Sequence, residues 1–201
     1  MKALKTFLFW FWQCTWGCIM TSIGAIVALC MLITGHKPKR IGPSIYFEIN
    51  KLAGGIDLGP FFLAPTRCGD NLKYHEVGHG IQNLIWGPLF PFLIAIPSCT
   101  RFWLRECKTH MKKVLFACLY FLIFVGLLTI CIVLENYFIH VYWVTVTLEC
   151  LRGYFAMVTI WLHLIEIPKY EYGYVSYDSI WFEGQATNWG TENCTKVKKE
   201  G

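Results

Sequence analysis

The sequence predicts a mainly α-helical integral-membrane protein, with about three transmembrane helices, a short re-entrant apolar segment, a small β-hairpin and a helix carrying an HExxH run. Three observations predict it. Hydrophobic residues make up 55% of the 201-residue chain and charged residues 15%, where soluble domains carry roughly 25% charged residues. Apolar runs at 7–34, 114–134 and 137–167 each have the length a helix needs to cross a ~30 Å hydrocarbon core. Between the first two, His75-Glu76-Val77-Gly78-His79 sets two imidazoles one helical turn apart.

The remaining composition fits the same class. Aromatic residues reach 17%, nine of them Trp, as expected where rings line the bilayer interface. The net charge is +5, with most Lys and Arg in short runs beside apolar segments. Membrane orientation therefore explains the basicity, so the lipid bilayer is the expected partner and nucleic acid is not. Among the ten cysteines, Cys14, Cys18, Cys30, Cys118, Cys131 and Cys150 lie inside apolar stretches and no CxxC pair occurs. They read as small hydrophobes rather than a disulfide framework or thiolate zinc site.

Residues 1–40 form an N-terminal membrane anchor. Phe7 to Thr34 is uninterrupted, too long for a ~7–15 residue signal core, and no small-residue cleavage pattern follows. His36-Lys37-Pro38-Lys39-Arg40 closes it with positive charge. Residues 41–106 hold the β-hairpin, the HExxH helix and the re-entrant segment. Ile45 to Asn50 alternates at period two, Ile56 to Leu63 is a second strand, and Gly54-Gly55 marks the turn between them. Pro60 demotes the second strand to an edge, where an extended peptide could bind by adding a strand. Asp70 or Asn71 caps the next helix, which runs through Gln82. Leu84 to Ser98 is apolar but short and contains Pro88, Pro91 and Pro97, which favours a bent or re-entrant piece over a clean span. Arg101, Arg105, Lys108, Lys112 and Lys113 follow as a basic stretch.

Residues 107–168 form a transmembrane hairpin, Val114 to Leu134 and Tyr137 to Ile167, with a turn at Glu135-Asn136. Glu149 and Arg152 fall within its second arm, three residues apart. They read as a self-neutralising pair, with a substrate or site role as the alternative. His163 reads as an interface histidine, with a ligand or proton-donor role as the alternative. Residues 169–201 form a C-terminal segment.

Histidines at this spacing share a helix face, so His75 and His79 can hold one Zn²⁺, with Glu76 as base between them. A catalytic zinc takes three protein ligands and a water. Glu183, in the helical stretch Tyr177 to Gly190, is the expected third ligand, with Gly184 and Ala186 allowing close packing on the HExxH helix. One Zn²⁺ per chain follows. Tyr74, Tyr177 and Asn188 are candidate oxyanion donors, and Asp178 or Asn188 could orient a ligating imidazole. Glu183 reaches the histidines only if 84–98 dips back and the later spans return as a hairpin. The basic residues at 37–74, 101–113 and 169–201 then share one face, cytoplasmic by the positive-inside tendency, with Lys2 and Lys5 opposite.

The pairing of HEVGH with Glu183-Gly184-Gln185-Ala186-Thr187-Asn188-Trp189-Gly190 resembles integral-membrane gluzincins, the group containing the CAAX prenyl endopeptidase and the heat-shock membrane protease. Those proteins pair HExxH with a later E-x-x-A-D and a nearby glycine. Glu183, Ala186 and Gly190 match, whereas Thr187 stands where the family has Asp and removes an expected carboxylate. The fuller run HEVGHGIQN…IPS…YDSIWFEGQAT is also similar to a set of small bacterial membrane proteins. The resemblance covers 43–106 and 174–191. It implies a zincin-like core, zinc and peptide-bond hydrolysis, and says little about the substrate. The leading expectation is a membrane-embedded zinc metallopeptidase of a bacterial plasma membrane, hydrolysing a peptide or membrane-protein substrate near the membrane surface, with the cytoplasmic side given by the basic segments. Two other readings stay open. One is a catalytically inactive zincin-like scaffold, sensor or immunity-type protein. The other is a site-2-type intramembrane protease, whose third ligand would be a later Asp.

Overall fold

The protein is described by a computed structural model that covers residues 2–137, 142–170, 173 and 175–199. The chain divides into two compact units, residues 1–98 with 176–201, and residues 99–175.

The first unit opens with α1 (Lys2–Thr15) and α2 (Cys18–Ile33), which are bent by 100° at the break between them. The expected straight helix across 7–34 is therefore interrupted. Polar groups at the break account for it. Gln13 is fully buried, and Thr21 Oγ1 donates to Gln13 O at 2.8 Å or Gly17 O at 3.0 Å. Asn83 Nδ2 donates to Gln13 Oε1 at 2.6 Å and Gly17 O at 3.2 Å, while Gln13 Nε2 donates to Gly80 O at 2.8 Å. Carbonyls freed by the break thus find partners, which an apolar environment demands. A side chain at Gly17 would meet Asn83 Nδ2 at 2.5 Å, so the bend seats directly on that amide.

A four-stranded sheet follows: β1 (Lys39–Ile41), β2 (Ser44–Ile49), β3 (Ile56–Leu58) and β4 (Phe61–Pro65), in the order β1-β2-β4-β3. This corrects the expected hairpin. Strand β2 pairs with β4 in parallel, Ile45 opposite Phe61, and the antiparallel pairing of this stretch is between β3 and β4. The stretch 56–63 is itself folded in two. Asp57 Oδ2 accepts from Gly59 N at 3.2 Å and Gly59 adopts φ +76°, a tight turn of the kind Asp, Gly and Pro favour. Pro60 therefore lies in a turn rather than on an edge strand, and its carbonyl accepts from Ile45 N at 2.9 Å.

Helix α3 (Asp70–Trp86) carries the HEVGH run. It ends at Gly87, which takes φ +49° before Pro88, a left-handed terminus that suits glycine. The indoles of Trp12 and Trp16 donate to the last-turn carbonyls of Leu84 and Ile85 at 3.0 and 3.2 Å, satisfying groups a helix end leaves open. The chain turns by 119° near Phe90, through a 3₁₀ turn (Gly87–Leu89) and a π-helical turn (Pro91–Ala95) into α4 (Ile96–Glu106). After the excursion through the second unit, a 3₁₀ turn (Tyr177–Ser179) leads into the last helix of the chain, Trp181–Lys199. Tyr46, Phe62, Ala64, Tyr74, Val77 and Cys194 form the core between the sheet and the two helices, with the Tyr46 and Phe62 rings stacked at 5.0 Å.

The second unit is built on α5 (His110–Tyr137) and α6 (Tyr142–Trp161), the latter continued by a π-helical turn (Leu162–Glu166) and α7 (Ile167–Lys169). The C-terminal helix of the first unit is accordingly α8. Among the described residues, His110–Val133 and Trp143–Lys169 are long and apolar enough to cross a membrane. Helix α5 runs on through Glu135 and Asn136, so the turn expected there is not made at those two residues; residues 138–141 lie outside the described residues. Leu104, Ala117, Val158, Leu162 and Ile167 pack together. Arg101, the first residue of the basic stretch, is wholly buried, its Nε 2.6 Å from the equally buried Glu166 Oε1. Arg152 donates to Glu149, forming the expected intrahelical pair. His163 Nδ1 faces Thr159 O at 2.9 Å, a local backbone contact.

Large apolar side chains stay exposed on both units, among them Phe7, Leu8, Ile26 and Leu29 in the first and Leu115, Leu122, Met157 and Leu164 in the second. Exposed apolar side chains in this number suit lipid contact.

Candidate metal centre

The site begins with helix packing. A Cβ on Gly190 would lie 1.7 Å from Tyr74 O, and one on Gly78 would lie 1.9 Å from Ala186 O. One turn further, Gln82 Nε2 donates to Phe182 O at 2.8 Å. Each step of four residues up α3 matches four down α8, so the helices run antiparallel with their backbones in contact. Of the expected small residues, Ala186 lies in this contact. Gly184 instead admits the 3₁₀ turn, since a Cβ there would be 2.9 Å from Asp178 O.

This approach brings three donor atoms together. His75 Nε2 and His79 Nε2 are 3.1 Å apart, and Glu183 Oε2 lies 3.1 Å from the first and 3.2 Å from the second. Glu183 is 0% exposed, with His75 and His79 at 8% and 5%. Both oxygens of Glu183 lack a hydrogen-bond donor.

The outward nitrogens fix the protonation of the rings. Gln82 spends its amide N–H groups on Phe182 O and Gln185 Oε1, and turns Oε1 to His79 Nδ1 at 2.8 Å. An amide oxygen only accepts, so His79 carries its proton on Nδ1. His75 Nδ1 lies 2.8 Å from Thr187 Oγ1, whose own proton goes to Asp178 Oδ1 at 3.1 Å. His75 Nδ1 must then donate as well. Both Nε2 lone pairs consequently face a carboxylate, an arrangement that only positive charge reconciles.

The donor set fits a metal ion: two imidazoles and a carboxylate are the ligands of one class of catalytic zinc site. Ligands ~2.0–2.2 Å from one tetrahedral zinc stand roughly 3.3–3.6 Å from each other, close to the 3.1–3.2 Å seen here. Without a metal, a proton supplies the charge. Burial acts to lower the His79 pKa, but Glu183, aided by Glu76 and Asp57, outweighs it and raises it to about 9. Burial likewise pushes the Glu183 carboxyl up, and the two imidazoles overcome it and hold the group well below its usual range.

Glu76 is buried on the same turn. A Cβ on Gly55 would lie 2.1 Å from its Oε1, so bare backbone at the start of β3 accommodates the carboxylate. Burial raises its pKa against the pull of His79 and His75. Tyr177 sits beside the cluster, its ring centroid 5.8 Å from that of His75 and its hydroxyl 3.1 Å from Ser98 Oγ. Burial, then the Glu183 charge, keeps that hydroxyl protonated. Tyr74 belongs to the core under the sheet, and Asn188 is exposed on α8. Neither joins the cluster.

Sequence reasoning missed Gln82, Thr187, Gly55 and Asp57. Gln82 had a usable signal, three residues after His79 on the same helix. Asp57 did not: its Oδ1 is sealed from solvent without a hydrogen-bond partner, and burial, reinforced by Glu76, raises its pKa well above the ordinary value.

Comparison with protein-family profiles, curated proteins and solved structures finds no match to this chain.

Proposed function

We propose that this chain is a membrane-embedded zinc metallopeptidase of gluzincin type, hydrolysing peptide bonds near the membrane surface. Its ligands are His75, His79 and Glu183, for one Zn²⁺ per chain, and its base is Glu76. One observation carries the reading: two imidazole lone pairs and a carboxylate oxygen, all buried, stand 3.1–3.2 Å from one another with Glu76 on the same helical turn.

A zinc ion held by His75, His79 and Glu183 would supply Lewis acidity, which lowers the pKa of a bound water toward ~7 and polarises a carbonyl. Glu76 accepts the proton released as the water oxygen bonds to the carbonyl carbon. It returns that proton to the amine as the C–N bond breaks. A pKa raised by burial suits a base that must also hold the proton. Tyr177 is the oxyanion donor, because it lies beside His75 and keeps its proton. Strand β3 is an edge of the sheet and begins next to Gly55 and Glu76, so it receives the extended substrate.

The hairpin of α5 and α6 is the spanning part. The bent pairs α1–α2 and α3–α4 dip into the bilayer and return, which puts Lys2 and Lys5 on the same face as the other basic segments. That removes the exception that a straight anchor leaves to the positive-inside tendency. The site then faces the cytoplasm of a bacterial plasma membrane. Accessibility of tags at the two ends tests this, since both must react from one side.

Glu183 in the cluster, with Asp178 bonded to Thr187, favours this reading over the site-2 type. The experiment is metal analysis with mutation. Purified protein should hold one zinc, His75→Ala, His79→Ala or Glu183→Ala should lose it, and Glu76→Gln should keep it while peptide cleavage falls by ~10²-fold or more. Absence of stoichiometric zinc rejects the proposal. Zinc binding without Glu76-dependent cleavage of a peptide library moves the protein to the inactive scaffold class.

A further inference from the structure

We infer that Asp178 positions the His75 imidazole through the Thr187 hydroxyl, the two side chains together replacing a single carboxylate on α8. The inference rests on the metal reading for its consequence, but its geometry stands alone. His75 Nδ1 lies 2.8 Å from Thr187 Oγ1, and Thr187 Oγ1 donates to Asp178 Oδ1 at 3.1 Å.

A lone hydroxyl beside an imidazole is ambiguous, because it can accept from Nδ1–H or donate to a bare Nδ1. The second arrangement leaves the ring proton on Nε2, where it blocks ligation. Asp178 removes the ambiguity. An ionised carboxylate only accepts, so it claims the hydroxyl proton and leaves Thr187 a lone pair for Nδ1–H. The order Nδ1–H to Oγ1–H to Oδ1 follows, and the Nε2 lone pair stays aimed at the cluster. Local packing serves the same end: Gly184 lets the turn bearing Asp178 sit against the first turn of α8, since a Cβ there would lie 2.9 Å from Asp178 O. Asp178 itself is exposed, so the relay is strengthened by no burial and its effect should be moderate.

Asp178 is thus a positioning residue, and the substitutions have an order that no merely structural role reproduces. Asp178→Ala should weaken zinc binding ~10-fold and Thr187→Val ~10- to 100-fold, the range for partners of ligating histidines. The double variant should be no weaker than Thr187→Val alone, because both act through one bond. Thr187→Asp should fail to tighten binding in the wild-type background, where two carboxylates would meet. In the Asp178→Ala background it should restore affinity to within a few-fold.

The measurements are zinc affinity by chelator competition and the histidine tautomer by ¹⁵N NMR on metal-free protein in detergent. The expected wild-type result is a proton on His75 Nδ1, giving way to a mixture in Asp178→Ala. An unchanged tautomer in Asp178→Ala overturns the relay, as does additive loss in the double variant or absence of rescue by Thr187→Asp in folded protein. If wild-type protein binds no zinc, the metal reading fails, while the tautomer shift still decides the relay.

Discussion

Gly190 lies so close to Tyr74 that a single added methyl group would sit 1.7 Å from the tyrosine carbonyl oxygen. The obstacle is backbone, which cannot swing aside as a side chain can. Gly190→Ala should therefore push α8 away from α3 and destabilise the protein by on the order of 3 kcal/mol; on the proposed metal reading it should weaken zinc binding as well. Gly78→Ala, aimed at Ala186 O at 1.9 Å, should do the same. Gly153→Ala is the control, because a Cβ there meets nothing within 4 Å; it should be neutral or stabilising by up to ~1 kcal/mol. Thermal melts in detergent and chelator competition on the three variants check the contrast.

Gly55 presents a different obstacle. Its added Cβ would meet Glu76 Oε1 at 2.1 Å, the far end of a flexible side chain that can move. On the proposed metallopeptidase reading, Gly55→Ala should fold and still bind zinc but displace Glu76, and a misplacement of ~1 Å can cost ~10²-fold in rate. Turnover compared with zinc content separates this from a folding defect.

The cluster should also set a pH dependence. The pKa of His79 in metal-free protein is about 9, against an ordinary value of 6.5. A raised pKa stabilises the fold through the protonated form. That stability is fully present below 6.5 and lost as pH rises through about 9. The zinc proposed for this cluster would require the same nitrogen unprotonated, so on that reading its apparent affinity should climb across this window with release of about one proton. Calorimetric titration at several pH values in buffers of different ionisation enthalpy measures both. A flat affinity between those limits would count against the coupling.

In the second unit, Arg101 and Glu166 form a fully buried pair at 2.6 Å, with Lys169 Nζ and Tyr170 Oη each 3.3 Å from the same carboxylate. Removing one partner leaves a buried charge short of its counter-charge. Arg101→Met should cost about 3–5 kcal/mol. The double replacement Arg101→Met with Glu166→Met should cost less than Arg101→Met alone. Melting of single and double variants decides it, and additive losses would refute the pairing as the cause.

The legible part of the site was the part carried by residue type at local spacing. His75, Glu76 and His79 lie within one turn, and Glu183 belongs to a recognisable helical stretch. What stayed hidden depends on residues distant in sequence. The bend between α1 and α2 left its trace as Gln13 and Thr21 within an apolar run, yet hydropathy averages such residues away. The parallel pairing of β2 with β4 could not be read from alternation, since alternation gives faces and not partners. Thr187 counted as a loss when matched position by position, because its acceptor Asp178 sits nine residues earlier in another element.

The sequence by itself determined a mainly helical, lipid-compatible chain with an HExxH helix and a set of acids that could complete it. Composition and helical period are local properties, and they survive any arrangement of the elements. Only the tertiary structure decided which acid meets the histidines, which ring nitrogens carry protons, and which glycines are indispensable. Those outcomes turn on distances of a few tenths of an ångström between α3 and α8, whose facing residues lie about a hundred positions apart. Separation along the chain carries no record of such distances, because they are set by what packs between the helices: here, Gly78 and Gly190 leave only a hydrogen atom where they meet the facing backbone.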